Sequence, residues 1–376
     1  NLTDIEFLGL HDNENLVNIA SLAGLIDLES LELQNCNVAD LSPLAGMVDM
    51  EFLNLHNNDF EDITPLAALS DMKTLRMSNH DLSNMPDLSA LSAMTDLTYL
   101  EMNNCGVQSL SGLETLVSLE EFHSKGANLP GLGVLAPLAS LEDLERINLS
   151  ESNLDDLTGI ENLDNLEKLW LYDNDIESVA LFAGGILDNL DYLHLGDNKL
   201  DDLVGLSGLT DLVTLIVNDN SIDSLAALTD LPDLKKLEAY DNNIDDDGTA
   251  VFSAADGPDG LTSLHLASND LDIATHLGNL TKLSYLNINS NSVDDISALS
   301  TCTDLQDLRI YNNDVDDISS FAFMPDLRWV NARHNDITDL TPLLNNGDFA
   351  AGDQIYVHGN NLDCDTQFVI INAIEA

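Results

Sequence analysis

The sequence predicts an α/β solenoid, mostly β with short 3₁₀ turns, of about 16 coils stacked through a parallel sheet on a concave face. Three observations predict it. From Leu8 to Leu362 the chain keeps returning to the pattern L-x-x-L-x-L-x-x-N-x-L. Its Asn-type position falls at Asn13, Cys36, Asn58, His80, Cys105, Ala127, Ser152, Asn174, Asn198, Asn220, Asn242, Asn269, Asn291, Asn313, Asn335 and Asn360, and nine of the fifteen intervals are 22 residues. After that position apolar residues recur every third place, as in Leu154, Leu157, Ile160, Leu163 and Leu166. A unit of this size buries its apolar side only against a neighbouring copy. Residues 1–376 are therefore expected to form one elongated domain.

The strand comes first in each coil. In Leu166 to Asn174, Leu169 and Leu171 alternate as a strand requires, while Lys168, Trp170, Tyr172 and Asp173 point the other way. The Asn-type residue follows, where the chain turns off the strand. Its amide can bond backbone groups of its own and the adjoining coil. Cys36, His80, Cys105, Ala127 and Ser152 replace it, all in the first half, so a weaker ladder is expected there. The return arm is next. Apolar spacing of three suits 3₁₀ turns, and Pro43, Pro65, Pro137, Pro232 and Pro342 fall where no ladder hydrogen bond is lost. The longest interval, Asn242 to Asn269, holds Asp-Asp-Asp-Gly and Gly-Pro-Asp-Gly turn signals and is expected to bulge from the convex side.

The pattern resembles the leucine-rich-repeat family, in particular the 22-residue type of bacterial internalins. The resemblance covers nearly the whole chain. It implies a right-handed, curved solenoid that binds proteins through its concave sheet. The chain departs from internalins in its acidity: 67 acidic against 12 basic residues, a formal net charge of −55. That balance excludes nucleic acid, whose phosphates need a basic patch. It fits adaptation to high salt, or a surface protein in water rich in divalent ions. The longest apolar run, near Phe368 to Ile371, is too short for membrane insertion. With no initiator Met and half an arm before Leu8, the chain is expected to be a piece of a longer protein. Cys36 and Cys105, three coils and roughly 14 Å apart, exceed disulfide reach. Cys302 and Cys364 lie on different faces, so all four are expected as free thiols.

Sorting residues by face gives the candidate site. The four outward positions of each coil hold all seven Tyr, both Trp, seven of nine His and seven of twelve cations, but only Phe7 and Phe52 of ten Phe. Strand propensity alone would bring Phe along with Tyr. The selection is for aromatics with a polar handle, the types enriched at binding hot spots together with Arg. A central cluster comprises Lys168, Trp170, Tyr172, Tyr192, His194, Lys236 and Tyr240. A C-terminal one comprises Tyr285, Arg309, Tyr311, Trp329, Arg333, His334, Tyr356 and His358. The two arginines are expected to meet carboxylates of a partner.

Asp173, Asp197, Asp219 and Asp241 precede Asn in four successive coils. Stacked like charges repel; calcium would relieve this column, and a solvated, salt-screened ladder is the other reading. No H-E-x-x-H, G-x-S-x-G or phosphate-cradling glycine loop is present, so no catalytic residue is assigned. The expected function is non-enzymatic protein recognition or adhesion, outside the cell or on its surface, with the cytoplasm of a halophile as the alternative location. The competing functional readings are a structural segment of a long surface adhesin or envelope fibre, and calcium-assisted carbohydrate binding.

Overall fold

The computed structural model describes residues 4–184 and 186–363. They fall into two compact units, the first running to Glu177 and including the strand that ends at His194, the second comprising Ser178–Gly184 and the chain from Leu195 on. The first unit carries nine strands, from Phe7–Gly9 to Tyr192–His194, and the second carries seven, from Thr214–Ile216 to Gln354–Tyr356. Each strand is three residues long, and within each unit it pairs in parallel with the next in chain order, as Lys168 with Tyr192 and Trp329 with Gln354.

The burial pattern follows the alternation in the sequence. Leu166, Leu169 and Leu171 are fully buried, as are Leu308, Ile310, Val330 and Ala332 in the second unit. The side chains between them, Trp170, Tyr172, Tyr311 and Trp329, remain half-exposed. Each fully buried Leu contributes about 1.5–3 kcal/mol, so one interior column repeated coil after coil supplies a core without a globular centre.

Asn174 shows what the turn position does. Its Nδ2 donates to the Leu149 and Leu171 carbonyls at 3.0 and 2.9 Å, and its Oδ1 accepts from the Ser152 and Leu154 amides at 3.0 and 2.9 Å. One buried amide thus pairs with four backbone groups where the chain turns off the strand. Four of the five substitutes reach the equivalent carbonyl of the preceding coil: Cys36 Sγ to Leu10 at 3.3 Å, Cys105 Sγ to Met77 at 3.1 Å, His80 Nε2 to Leu55 at 2.9 Å and Ser152 Oγ to Ser124 at 3.3 Å. The expected weakening of the first half is thus narrowed to thiol, which donates weakly, and to Ala127, which has nothing to donate.

The residue just before the Asn-type position departs from the expectation. It was read as a fourth outward strand position, yet in every one of the sixteen coils its φ is positive, between 50° and 77°. This is the left-handed region, which Gly, Asn and Asp enter most readily. Twelve of the sixteen obey that rule, from Asp12, Asn35, Asn57, Asn79, Asn104 and Gly126 to Asn312 and Gly359; Glu151, Ser268, Ser290 and His334 are the exceptions. In the first unit these side chains link coil to coil. Asn35, Asn57, Asn79 and Asn104 each donate Nδ2 to the Oδ1 of the residue one coil back, at 2.6, 2.6, 2.7 and 2.8 Å.

Twelve 3₁₀ segments occupy the return arms among the described residues. Pro43, Pro65 and Pro137 each sit in the first turn of one, where an amide would have no acceptor. Pro342 instead opens a single α-helix, Thr341–Asn346, ended by Gly347 at φ 72°. The long interval does not simply bulge: Asp247–Ser253 turns as 3₁₀ and buries Val251 and Phe252, leaving Ser253 to Asp256 outside. Cys36, Cys105 and Cys302 are free and buried; Cys364 lies outside the described residues. Burial pushes the thiols of Cys105 and Cys302 up to about 11, so they remain protonated and unreactive at neutral pH.

Candidate functional site

Short strands with alternate side chains outward set three aromatic-bearing columns on each unit's sheet face. In the first unit, Trp170 lies 5.2 Å from Tyr192 and Tyr172 lies 4.8 Å from His194, ring centre to ring centre. These are diagonal neighbours one coil apart, the reach expected between adjacent strands. Lys125, outside the predicted set, joins them: its Nζ donates to the Tyr172 hydroxyl at 2.6 Å and pairs with Glu151 at 2.8 Å. Lys168 stands on the same face beside Tyr192.

The predicted central cluster also includes Lys236 and Tyr240. Both lie in the second unit, where Lys236 pairs with Glu238 at 2.7 Å and Tyr240 stacks on His265 at 4.5 Å. Tyr240 and His265 form one end of a depression of about 660 Å³ whose other end is the predicted C-terminal cluster.

Two arginines organise that cluster. Arg309 lies 5.1 Å from the Tyr285 ring and 4.7 Å from the Trp329 ring. It donates Nε and Nη2 to the two oxygens of Asp307, at 3.1 and 2.9 Å. That bond holds its guanidinium above the ordinary value. The Nε–Nη2 edge of Arg309, expected to meet a partner's carboxylate, is thus occupied by a carboxylate of its own strand. Arg333 sits between Tyr311 and Tyr356, at 5.5 and 5.9 Å, with its Nε donating to Asn331 Oδ1 at 2.7 Å. Cation–ring contacts of this kind contribute about 1 kcal/mol each and hold both components in place.

The depression's floor was not anticipated. Asn287, Asn289 and Asn331 occupy outward strand positions yet are buried beneath the rings. Asn287 Nδ2 lies 2.7 Å from His265 Nε2, an amide donor facing a ring nitrogen. Burial lowers the His265 pKa. Asn289 Oδ1 accepts the Tyr311 amide at 2.9 Å. The sequence held one signal for this floor: Asn287 and Asn289 flank Ile288, and no other coil has Asn at both of these outward positions. His334 sits at the left-handed turn position, 5.8 Å from His358 edge to face.

The acidic column is explained by its backbone. Asp173, Asp197, Asp219 and Asp241 have φ of 55°, 53°, 52° and 50°, so each is a residue type that tolerates the left-handed turn. Asp173 belongs to the first unit and the other three to the second. Among the described residues no three His, Cys, Asp or Glu side chains are grouped as a metal would require.

A further buried polar group lies away from the aromatic face. His80 places Nδ1 and Nε2 each 2.9 Å from a carbonyl, those of Asn58 and Leu55, and stacks 3.8 Å from Phe60. Burial outweighs the two carbonyls and holds its pKa at about 4. On the first unit's sheet face, His56 Nδ1 accepts the Ser78 amide at 2.8 Å and its Nε2 faces Glu101 at 3.3 Å. That contact, against the opposing effect of burial, brings Glu101 down to about 2.

The comparisons bear on this geometry. A family model described as Leucine Rich repeats (2 copies) matches residues 164–209. No curated protein matches the chain in sequence. Among solved structures, a leucine-rich-repeat protein of Leptospira interrogans is similar at a TM-score of 0.77 and 17% identity, over 100% of this chain and 95% of that one. An internalin (InlF) of Listeria monocytogenes is similar at a TM-score of 0.62 and 23% identity, over 95% of this chain and 87% of that one. A plant peptide hormone receptor (RGFR1), solved in complex with RGF2, is similar at a TM-score of 0.70 and 17% identity, over 96% of this chain and 62% of that one. The fold is the leucine-rich-repeat solenoid, internalin-like in its coils.

Proposed function

We propose that this leucine-rich-repeat chain is a non-enzymatic protein-recognition module, working at a cell surface or in the medium, that grips its ligand on the aromatic sheet face. One observation carries the reading. In the second unit, Tyr240, Tyr311, Trp329 and Tyr356 converge with two arginines on one depression, while the aliphatic side chains alternate inward. Polar-tipped rings with Arg are the composition of binding hot spots. Their mutual stacking fixes them before a ligand arrives, which lowers the ordering cost of association. A plant receptor of the same fold, named for a peptide hormone, supports a protein or peptide ligand.

Trp170, Tyr172, Tyr192 and His194 offer a smaller surface of the same kind in the first unit. Trp329→Ala is expected to weaken the complex by about 2 kcal/mol or more, roughly 30-fold in Kd. The measurement is calorimetric titration with the partner recovered by crosslinking. Unchanged affinity in both Trp329→Ala and Trp170→Ala would falsify the face as the binding surface.

A further inference from the structure

The two arginines of the depression differ in one respect that decides what they can do. Arg309 is filled by Asp307, which takes two of its donors at 3.1 and 2.9 Å. Arg333 has no carboxylate partner among the described residues. Its Nε is spent on Asn331, and Asn331 is itself buried, so the inner edge of the guanidinium is fixed. The rings of Tyr311 and Tyr356 lie beside it at 5.5 and 5.9 Å, so its orientation is fixed as well. What remains is the outer end, Nη1 and Nη2, half-exposed in the depression. In a chain with 67 acidic residues and 12 basic ones, an arginine held rigid and left unpaired stands out on charge alone.

We infer that Arg333 is the receptor for a single carboxylate, an Asp or Glu side chain on an extended segment of the protein ligand. The inference rests on the recognition role proposed above and names the chemistry of its anchor. The two outer amino groups of a guanidinium make one planar fork, and a carboxylate is its planar match. Charge count selects the monoanion. One free cation offsets one negative charge, and Asp241 on the same depression adds a negative field. A phosphate would bring a second charge with no second free arginine to meet it. The flanking rings would cover the methylenes of the incoming side chain and dry the ion pair, so that screening by salt reaches it less than a surface pair.

Five arginines in the whole chain make the test direct, because 15N-arginine labelling yields five Nε–Hε resonances. The probes are the blocked tripeptides acetyl-Gly-Glu-Gly-amide and acetyl-Gly-Gln-Gly-amide, with inorganic phosphate as a third arm. The glutamate tripeptide should move the Arg333 resonance saturably, with half-saturation on the order of 1–10 mM. The glutamine tripeptide and phosphate should leave it in place. Trp329 fluorescence should follow the same titration. Arg333→Gln should abolish that change, and Arg328→Gln, an exposed arginine one residue before Trp329, should preserve it.

Equal response to both tripeptides, binding of phosphate in place of the carboxylate, no saturable shift, or an unaltered titration in Arg333→Gln would each overturn the inference. The outcome is separable from that of the recognition role. If the glutamate tripeptide fails while Trp329→Ala still weakens the ligand complex, the aromatic face stands and only the carboxylate falls.

Discussion

Asp197 and Asp219 stand in consecutive coils at a backbone angle that few side chains enter willingly, φ 53° and 52°. Asn fits that angle equally well and carries no charge. In the first unit Asn57 already shows the alternative, donating to Asn35 and accepting from Asn79. The double change Asp197→Asn with Asp219→Asn should therefore stabilise the fold, by about 1 kcal/mol at low salt through one new amide link and one relieved repulsion. In molar NaCl the gain should shrink. Urea unfolding at both salt concentrations measures it, and a variant less stable than the parent in low salt would refute the account.

His80 yields a pH test. Its folded pKa, about 4, lies below the ordinary 6.5. Between those values the unfolded chain binds the proton and the folded chain does not, so stability falls as pH drops through this window. The loss approaches about 3 kcal/mol near pH 4. Asn at this position is the residue most coils carry and does not titrate. His80→Asn should flatten the stability profile from pH 6.5 to 4, and a profile parallel to the parent's over that range would count against the buried imidazole as its cause. Below that range Glu101, held at about 2, adds a separate loss as pH falls from 4.5.

At the scale of the element, close stacking is controlled by backbone as much as by leucine. Gly159 has φ 120°, and a methyl group there would come within 2.5 Å of the Leu135 carbonyl in the preceding coil. Gly159→Ala should cost roughly 2–4 kcal/mol, because both the dihedral and the packing oppose it. Chemical denaturation of the variant decides this, and a cost below about 1 kcal/mol would mean the return arm shifts freely. The strands, the inward leucines and the Asn turn were legible because one pattern repeats sixteen times and each copy confirms the rest.

What escaped the sequence reading was specific to single coils. The Asp307 pairing of Arg309 is a same-strand contact at i and i+2, which a search for partner-facing charges passes over. The buried Asn287, Asn289 and Asn331 look like exposed polar positions until the neighbouring rings cover them. The aspartate column also stands at a left-handed turn, a backbone requirement that counting charge does not reveal.

For the molecule as a whole the governing quantity is the net charge of −55. Self-repulsion of that size opposes the compact state and is screened over about 10 Å at 0.1 M salt. The melting temperature should rise by several degrees from 10 mM to 1 M NaCl, equally in KCl. At matched low ionic strength, CaCl₂ should give no stabilisation beyond MgCl₂, since turn geometry accounts for the column of Asp173, Asp197, Asp219 and Asp241. A calcium-specific rise at low millimolar concentration would contradict that explanation. Thermal scans in the four salts make the comparison.

The left-handed residue of each coil carries one more implication. That position already hosts Asp, Asn, Gly, Ser, Glu and His without altering the coil. Electrostatic character can therefore be rewritten rung by rung, independently of the leucine interior. A lineage moving between brine and fresh water, or an engineer tuning solubility, has here a set of dials that leaves the buried scaffold in place.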